Sequence, residues 1–210
     1  MLDCKVIRFD AATKSFVADH KLTSIEKVFN INVNGRRLAT ACCSPKNVDE
    51  LAVGMLAQSD LIEPVERRRA TDVRIKAGDV LDCMDRLLST MSITHDKTNG
   101  VHSGLLFNIR TKKLLVHRED VGRHNVFDKI YGWTILNAID LSDKMIVFSG
   151  RCSTEMINKL ERMNAAIVAA KSVPTTLAVE RAQQLGITLA ARFRRGSFCI
   201  YTHPERIVLC

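Results

Sequence analysis

Four short polar segments, each containing glycine, have residue types that could bind an anion. They are TNGVH at residues 98–102, EDVGRHN at residues 119–125, SGRCS at residues 149–153 and FRRGS at residues 193–197. Glycine lets the backbone approach a ligand closely and present N–H groups to a phosphate, while arginine and histidine add positive charge. If the fold brings these segments together, the sequence predicts a phosphate-binding site.

Each segment also has an interpretation in which it only supports the fold. Glu119 and Asp120 would cap the helix that follows them, and Arg123 would pair with them. His102 and His124 titrate near neutral pH and could act as acid, base or phosphate donor, but an isolated histidine is more often a satisfied hydrogen-bonding residue. The residue types alone leave both interpretations open.

Cys152 differs from the other cysteines in its sequence surroundings. It follows Arg151 at the predicted start of a helix, where the helix field and the neighbouring cation stabilise a thiolate. We therefore predict a lowered pKa for Cys152 and consider it a candidate catalytic thiol. The alternative is that cysteine fills a turn position that only requires a small residue.

Cysteine usage and charge limit the class of protein. The seven cysteines are an odd number without a C-x-x-C pair or zinc spacing, which indicates a reducing cytoplasm and no structural metal. Thirty-one basic residues against 23 acidic ones give a net charge of +8, which attracts polyanions. Aromatic residues make up only 5%, too few to favour a single-strand nucleic acid binder. No apolar run suits a membrane span or a secretory signal.

The first third of the chain predicts a small α+β domain. Strands are expected over three segments, residues 5–9, 26–33 and 36–42. The turn pair Asn34-Gly35 joins the last two strands as a β-hairpin, because both residues accept positive φ angles. A capped helix over residues 47–56 follows, and the charged residues 63–78 indicate a linker or an edge strand. We therefore predict a small N-terminal domain with its linker over residues 1–78.

Residues 79–210 predict a larger domain of the α/β class. A helix is expected over residues 79–91 and a hairpin over residues 105–117. After them, segments with the apolar periodicity of strands alternate with segments that have the periodicity of helices. The expected helices are residues 125–139, 153–163 and 174–185, the last with Pro174 in its first turn, and the expected strands are residues 144–149, 165–170, 187–191 and 198–201. This pattern predicts a sheet between helix layers, with the four polar segments as strand-to-helix connections that line a ligand site.

Several motifs follow one another in a fixed order along the chain. The first part carries VNGR at residues 33–36, SP at residues 44–45 and DELAVG at residues 49–54. The second part carries GVH at residues 100–102, EDVGRHN at residues 119–125, SGR at residues 149–151, PT at residues 174–175, GITL at residues 186–189 and YTHPER at residues 201–206. In these motifs the chain resembles the FdhD/NarQ family of formate dehydrogenase accessory proteins over nearly its full length.

The resemblance implies a cytidine deaminase-like three-layer α/β/α domain without the zinc signature, next to a small N-terminal α+β domain. It also implies a protein that binds the bis(molybdopterin guanine dinucleotide) molybdenum cofactor and is required for formate dehydrogenase activity. Family members resemble sulfur carriers that take sulfur from a cysteine desulfurase as a persulfide and pass it to that cofactor. The implied partners are the desulfurase, the catalytic subunit of formate dehydrogenase and the guanine nucleotide moiety of the cofactor.

The resemblance assigns the cofactor site to residues of the four polar segments. The dinucleotide-binding segment of the family maps onto residues 193–198, where Arg192 and Arg194 replace residues that are more often small. The implied contact residues are Gly100, His102, Asp120, Gly122, Arg123, His124, Asn125, Ser149, Gly150, Arg151, Phe193, Arg194, Arg195, Gly196, Ser197 and Phe198.

One departure from the family pattern bears on sulfur transfer. The sulfur-bearing cysteines of the family usually lie in a C-G-x-C-G loop between the domains, and residues 67–79 contain no cysteine here. Cys83 lies on the apolar side of a predicted helix, so the persulfide role is not assigned to it. Either another thiol such as Cys152 carries sulfur, or the chain is a cofactor-binding chaperone without sulfurtransferase activity. A basic nucleic-acid-binding protein is a further alternative, and the sequence leaves open whether the chain is a monomer or a homodimer.

Overall fold

The chain begins with two β-hairpins and a helix. The first hairpin pairs β1 (Leu2–Asp10) with β2 (Ser15–Thr23), and the second pairs β3 (Lys27–Val33) with β4 (Arg36–Cys43). Helix α1 (Val48–Gln58) follows. This computed structural model describes residues 1–61 and 72–209.

The second hairpin confirms the prediction made from its turn. Asn34 and Gly35 adopt φ angles of 48° and 78°, the positive values that a tight two-residue turn needs. One face of this hairpin packs on α1, through Ile31, Ala41 and buried Leu51. Strand β2 was missing from the predicted elements because nearly all of its side chains are exposed, so no alternating apolar pattern marks it.

A six-stranded sheet forms the centre of the second part of the molecule. Its strands lie in the order β11-β10-β9-β8-β6-β7, with β8, β9 and β10 parallel and the other neighbours antiparallel. They are β6 (His102–Asn108), β7 (Leu114–Asp120), β8 (Lys144–Phe148), β9 (Ile167–Ala170), β10 (Thr188–Arg194) and β11 (Ser197–Thr202). Strands β8 and β9 are buried along their whole length, as expected of parallel strands covered on both faces.

Helices cover both faces of this sheet. Helix α2 (Ala77–Thr90) packs on one face, where its Val80, Met84 and Leu87 join a core with Phe107 and Met145. The other face carries α4 (Arg123–Leu136), α5 (Thr154–Arg162) and α6 (Thr176–Gln184). The molecule is therefore a mixed α/β protein with a central sheet and helices, as the sequence predicts.

Short elements complete the described chain. Helix α3 (Ile93–Thr98) precedes β6, and a 3₁₀ turn (Pro204–Arg206) follows β11. Strand β5 (Ile75–Lys76) pairs in parallel with β12 (Ile207–Val208).

The first part of the chain is joined to the second through a close contact of two helices. A Cβ atom on Gly54 of α1 would lie 1.8 Å from the Asp128 carbonyl oxygen, and one on Gly132 of α4 would lie 1.8 Å from the Glu50 carbonyl oxygen. Only glycine permits the two backbones to approach this closely. An ion pair between Glu50 and Arg118 of β7 adds to the contact.

Three details of the predicted elements are wrong. Residues 98–102 connect a helix to a strand, and residues 193–197 form the turn of the β10–β11 hairpin, so neither is a strand-to-helix connection. Pro174 precedes Thr175, whose side chain caps α6, and it therefore lies before the first turn. The division of the chain after residue 78 stays a prediction, and residues 63–71 of the predicted linker fall outside the described residues.

Candidate functional site

All four polar segments lie along one edge of the central sheet. Strands β7, β8, β9 and β10 end at this edge, and β6 and β11 begin there. The strand register shows the alignment, because His102 pairs with Asp120 and Phe148 pairs with Ala170. Helices α4, α5 and α6 start from the same edge, so their positive N-terminal ends point toward it.

The first segment lies next to both the second and the third, through the pairing of His102 with Asp120 and the approach of Gly150 to His102. The Ser103 backbone N–H donates to Ser149 Oγ at 2.9 Å, and the Ser149 N–H donates to the Ser103 carbonyl at 2.9 Å. A Cβ atom on Gly150 would lie 3.2 Å from His102 Nδ1, so this glycine lets the third segment contact the first. Arg123 of the second segment is close enough to His102 to affect its ionisation. Segments far apart in sequence therefore share one surface.

Burial and a neighbouring cation lower the pKa of both histidines of this surface. Burial lowers the pKa of His102, and the charge of Arg123 lowers it further. Burial also lowers the pKa of His124, again with Arg123 as the next cause, although Glu155 lies 3.3 Å from its Nε2. The two rings are therefore neutral near pH 7 and act as hydrogen-bonding groups rather than fixed cations.

The fourth segment lies on the same edge but farther along it. The β9 end links it to the third segment, since the Ser172 N–H donates to the Gly150 carbonyl and the Phe193 N–H donates to the Lys171 carbonyl. Strands β9, β8 and β6 lie between β10 and β7, which makes four inter-strand spacings. At about 4.8 Å per spacing, the ends of β7 and β10 are about 19 Å apart. The site is an elongated surface rather than a compact cleft.

Phe193 of the fourth segment belongs to the core, and Phe198, the residue directly after the segment, packs against it. The Phe193 side chain is buried against the α2 face of the sheet, and its ring stacks on Phe198 with centroids 4.9 Å apart. This stack supports the β10–β11 turn and removes the Phe193 side chain from a ligand. Arg194, Arg195, Gly196 and Ser197 are exposed and remain available for contact.

Asp120 is buried and holds the second segment in place. Its Oδ1 accepts hydrogen bonds from the Gly122 N–H and from Asn125 Nδ2, each at 2.8 Å. Its carboxylate also pairs with Lys129, and neither side chain is exposed. The Asp120 side chain therefore positions the segment, while Arg123 and His124 are partly exposed on its surface.

Positive charge along this edge is largely uncompensated. Arg123 Nε is buried without a hydrogen-bond partner among the described residues. Within the same described part of the chain, Arg151, Lys171 and Arg195 form no ion pair, and Arg194 bonds only the carbonyl of Phe193. Lys171 follows β9 and was missing from the predicted site, although a basic residue directly after a predicted strand was the signal for it.

The family model of the FdhD/NarQ family matches residues 64–208. This chain belongs to that family. Sulfur carrier protein FdhD of Bacillus subtilis (strain 168) is 31% identical, with 96% of this chain and 95% of that protein aligned. Sulfur carrier protein FdhD of Staphylococcus aureus (strain MRSA252) is 30% identical, with 97% of this chain and 95% of that protein aligned.

A solved structure shares the fold of this FdhD/NarQ chain. It comes from Desulfotalea psychrophila and is described as a formate dehydrogenase accessory protein. The two chains superpose with a TM-score of 0.86 over 99% of each, at 23% sequence identity. At this identity the likeness establishes the fold alone.

The alignments to FdhD/NarQ relatives are longer than this chain. The alignment with the Bacillus subtilis protein has 255 positions, whereas the chain has 210 residues. That relative therefore contains residues without a counterpart here. Residues 67–79 of this chain contain no cysteine.

The structure overturns the prediction for Cys152. Its side chain has no exposed surface and lies in the core with Met156 and Ile157. Burial raises the pKa of Cys152 to about 12, so the predicted lowering is wrong. The cysteine precedes the N-cap Ser153, and the desolvation of its thiolate outweighs the field of the helix. Burial raises the pKa of Cys83 to about 12 as well.

A segment of the first part of the chain also borders the site. Asn125 Nδ2 donates to the carbonyl of Cys42 at 2.8 Å, and the Val121 N–H donates to Ser44 Oγ at 3.1 Å. Cys42 is exposed, whereas Cys43 is buried. In the sequence analysis this segment is the end of a predicted strand and part of a family motif, and no contact with the site was predicted for it. Nothing in the local sequence indicates a partner more than 70 residues away.

Across residues 1–61 and 72–209, no helix is both long and apolar enough to cross a membrane. In the same ranges, no group of three or more His, Cys, Asp and Glu side chains is arranged to hold a metal ion.

Proposed function

We propose that this FdhD/NarQ chain binds the bis(molybdopterin guanine dinucleotide) molybdenum cofactor along the edge of its central sheet, as an accessory protein for formate dehydrogenase. The observation that carries the proposal is a row of cations that have no acidic partner within residues 1–61 and 72–209, namely Arg123, Arg151, Lys171, Arg194 and Arg195. The relatives named sulfur carrier protein FdhD and the solved accessory protein support it.

The residues of this edge fit the phosphate groups of such a cofactor. The donor set consists of guanidinium and ammonium groups together with the N-terminal ends of α4, α5 and α6, all of which favour anions. The length of the edge also fits, because a bis-guanylyl ligand has two phosphate groups that can occupy separate parts of it. When bound, the cofactor supplies the molybdenum centre for the enzyme that receives it.

Each segment has a distinct task in this binding. Arg123, Arg151 and Lys171 hold phosphate groups near the middle of the edge, and Arg194 and Arg195 hold them at the β10–β11 turn. His102 and His124 donate or accept hydrogen bonds as neutral rings. Gly100, Gly122 and Gly150 keep the backbone near the ligand, and Asn125 and Ser149 fix the segments to one another.

Sulfur transfer is the second part of the proposal. A cysteine thiolate of this chain attacks the terminal sulfur of a persulfide on a cysteine desulfurase. The new S–S bond forms on this chain, the S–S bond of the donor breaks, and the donor leaves as a thiolate, so no external oxidant is needed. The thiolate has to be reachable, which favours the exposed Cys42 and Cys199 and the partly exposed Cys4 over Cys152.

A cofactor-binding chaperone without sulfurtransferase activity is the alternative. It is favoured by the absence of cysteine from residues 67–79, the interval in which the family usually has its C-G-x-C-G loop. Under this alternative the edge site binds the cofactor and delivers it, and no thiol takes part.

The remaining expectations accompany this function. The chain acts in the cytoplasm and contacts the catalytic subunit of formate dehydrogenase. Its larger domain, residues 79–210, is of the cytidine deaminase-like type, and residues 1–78 form the smaller domain. Mass determination in solution distinguishes a monomer from a homodimer.

Binding of GDP tests the cofactor site. Titration calorimetry with GDP, which represents one guanine half of the cofactor, should detect binding by the full chain. Replacement of both Arg194 and Arg195 by alanine should weaken it by about tenfold or more, since each arginine lost from a phosphate costs of the order of 1 kcal/mol. A matched control replaces exposed Arg36 and Arg37 by alanine, which removes the same charge at the β3–β4 turn. If the wild type, the Arg194 and Arg195 variant and the control bind GDP with equal affinity, the β10–β11 turn is not part of the phosphate site.

Labelled sulfur separates the two parts of the proposal. The chain is incubated with a cysteine desulfurase and labelled cysteine, and peptides are mapped by mass. A mass increase of one sulfur on an exposed cysteine supports the carrier function. GDP binding without any sulfur gain supports the chaperone alternative instead.

A further inference from the structure

The hairpin of β1 and β2 presents large apolar side chains to solvent on one of its two faces. Ile7 is 75% exposed, Phe9 56% and Phe16 76%. The strand register places Phe9 opposite Phe16 and Ile7 opposite Ala18, and directly opposed residues lie on the same face of a sheet. The centroids of the two phenylalanine rings are 5.5 Å apart. These four residues form what we call the apolar face of the hairpin.

Within residues 1–61 and 72–209, the apolar face belongs to no hydrophobic core of the molecule. The hairpin is held at its base, where Ser24 Oγ lies 2.7 Å from Thr98 Oγ1 at the end of α3. A two-stranded hairpin alone is only marginally stable in water. A partner that removes the apolar face from water therefore stabilises the hairpin.

The opposite face of the hairpin carries charges that are compensated. Arg8 Nη1 lies 3.0 Å from Asp10 Oδ2, and Arg8 Nε lies 3.5 Å from Asp19 Oδ2. Lys21 Nζ lies 2.9 Å from the same oxygen of Asp19. The hairpin is therefore amphipathic, because one face suits water and the other suits an apolar medium.

Two lysines at the ends of the apolar face have no acidic partner among the described residues. Lys5 lies on the same face, two residues and about 7 Å before Ile7 along β1. Lys14 lies in the turn between the two strands. Asp3, the acidic residue of this face, lies 2.9 Å from His20 Nδ1. Free positive charge beside exposed aromatic side chains favours an anionic surface as the partner.

The size of the apolar face argues against a stable protein interface. The face spans two strands and about 10 Å along them, which is on the order of 200 Å² of surface. Stable protein interfaces bury about 800 Å² on each partner. A lipid surface does not require such an area, because a few apolar side chains at the boundary between headgroups and acyl chains bind it together with a few cations.

We propose that the apolar face of this hairpin binds the surface of an anionic lipid bilayer. The side chains of Ile7, Phe9 and Phe16 enter the boundary between headgroups and acyl chains. Lys5 and Lys14 contact the anionic headgroups, and the ion-paired face stays in water. This inference goes beyond the proposed function and does not depend on it, because the apolar face contains none of the residues assigned to the edge of the central sheet.

Vesicle flotation tests the inference. The full chain should bind vesicles of phosphatidylcholine with about 30% phosphatidylglycerol at least about tenfold more tightly than vesicles of phosphatidylcholine alone. Joint replacement of Phe9 and Phe16 by alanine should weaken binding by about tenfold or more, since both rings lose their transfer out of water. The matched control replaces Leu136 of α4 and Leu177 of α6, which are 56% and 58% exposed, by alanine and should bind as the wild type does.

Two further variants test the charge and the location. Joint replacement of Lys5 and Lys14 by glutamine should weaken binding to the anionic vesicles by about tenfold or more. Phe16→Trp keeps an aromatic ring in the hairpin and reports its surroundings. Its fluorescence should shift to shorter wavelength when anionic vesicles are added, whereas the wild type, whose single tryptophan is Trp133 in α4, should show no shift.

Three results would overturn the inference. The first is a wild type that binds neither kind of vesicle, and a dimer in solution that the Phe9 and Phe16 variant dissociates would then assign the apolar face to contact between copies of the chain. The second is equal binding to both kinds of vesicle. The third is loss of binding on replacement of Arg194 and Arg195 by alanine with full binding by the Phe9 and Phe16 variant, which would assign the vesicle contact to the sheet edge.

Discussion

The ammonium group of Lys129 lies 2.5 Å from the carboxylate of Asp120, and neither side chain has any exposed surface. Lys129 also donates to the carbonyls of Ser44 and Glu119, each at 3.3 Å. Asp120 Oδ2 accepts from the Ser44 N–H at 3.1 Å. The pair therefore joins β7, α4 and the segment after β4, and both charges are compensated by several hydrogen bonds.

Removal of one partner of this pair should strongly destabilise the fold. Lys129→Met leaves the Asp120 carboxylate buried without its cation, and we expect the free energy of unfolding to fall by about 3–5 kcal/mol. Urea unfolding measures this. The control is Lys112→Met, whose partner Asp79 lies 2.7 Å away but whose own side chain is 56% exposed, and it should cost less than about 1 kcal/mol. An equal loss of unfolding free energy in the two variants would show that burial of the Lys129–Asp120 pair does not increase its contribution to stability.

The contact between α1 and α4 should not tolerate a side chain at its glycines. A Cβ atom on Gly54 would overlap the Asp128 carbonyl, so Gly54→Ala should cost about 3 kcal/mol or more, or prevent folding. Gly78→Ala provides the control, because a Cβ atom on Gly78 would meet no other atom within 4 Å and alanine favours a helix by about 0.5–1 kcal/mol. Thermal unfolding of both variants should shift in opposite directions, and a neutral Gly54→Ala would disprove the close contact.

Stability should decline as the pH falls below about 6.5. Burial, with Arg123 as the second cause, lowers the pKa of His102 and His124 from the ordinary 6.5 in the folded protein, so the unfolded chain binds more protons in this range. The free energy of unfolding then falls by up to about 1.4 kcal/mol per pH unit for each histidine. Urea unfolding at pH 7.5, 6.5 and 5.5 measures the slope.

A histidine variant checks the cause of this pH dependence. His102→Asn should flatten the slope, and His20→Asn on the exposed first hairpin serves as its control. An unchanged slope in His102→Asn would show that this ring does not account for the acid sensitivity.

Thiol reactivity should follow burial rather than position in the sequence. Brief treatment of the native chain with iodoacetamide should modify exposed Cys42 and Cys199, whereas Cys83 and Cys152 should react only after unfolding. Burial raises the pKa of both of the latter thiols to about 12, so little thiolate is present at neutral pH. Peptide mapping by mass measures each site, and rapid labelling of native Cys152 would contradict its burial.

Local patterns in the sequence predicted much of the fold. The Asn34-Gly35 turn, the apolar stripe of α2 and the alternation of strands with helices all reflect interactions within a few residues, and each is confirmed. The same periodicity placed the four polar segments at strand ends. It did not find β2 or α3, because an exposed strand and a short helix have no strong apolar period.

The sequence by itself determined the types of the strongly periodic elements, the positive charge of the candidate site and, through its ordered motifs, the family. Tertiary structure decided which polar residues reach a ligand. Packing around Cys152 raises its pKa, whereas the sequence predicted a lowered one. The Phe193 ring stacks on Phe198 in the core. Ser44 and Asn125 form hydrogen bonds that join segments about 80 residues apart. The order of strands spread the four segments along one edge of the sheet. Burial and charge pairing depend on groups that are distant along the chain, and local sequence patterns contain no information about those neighbours.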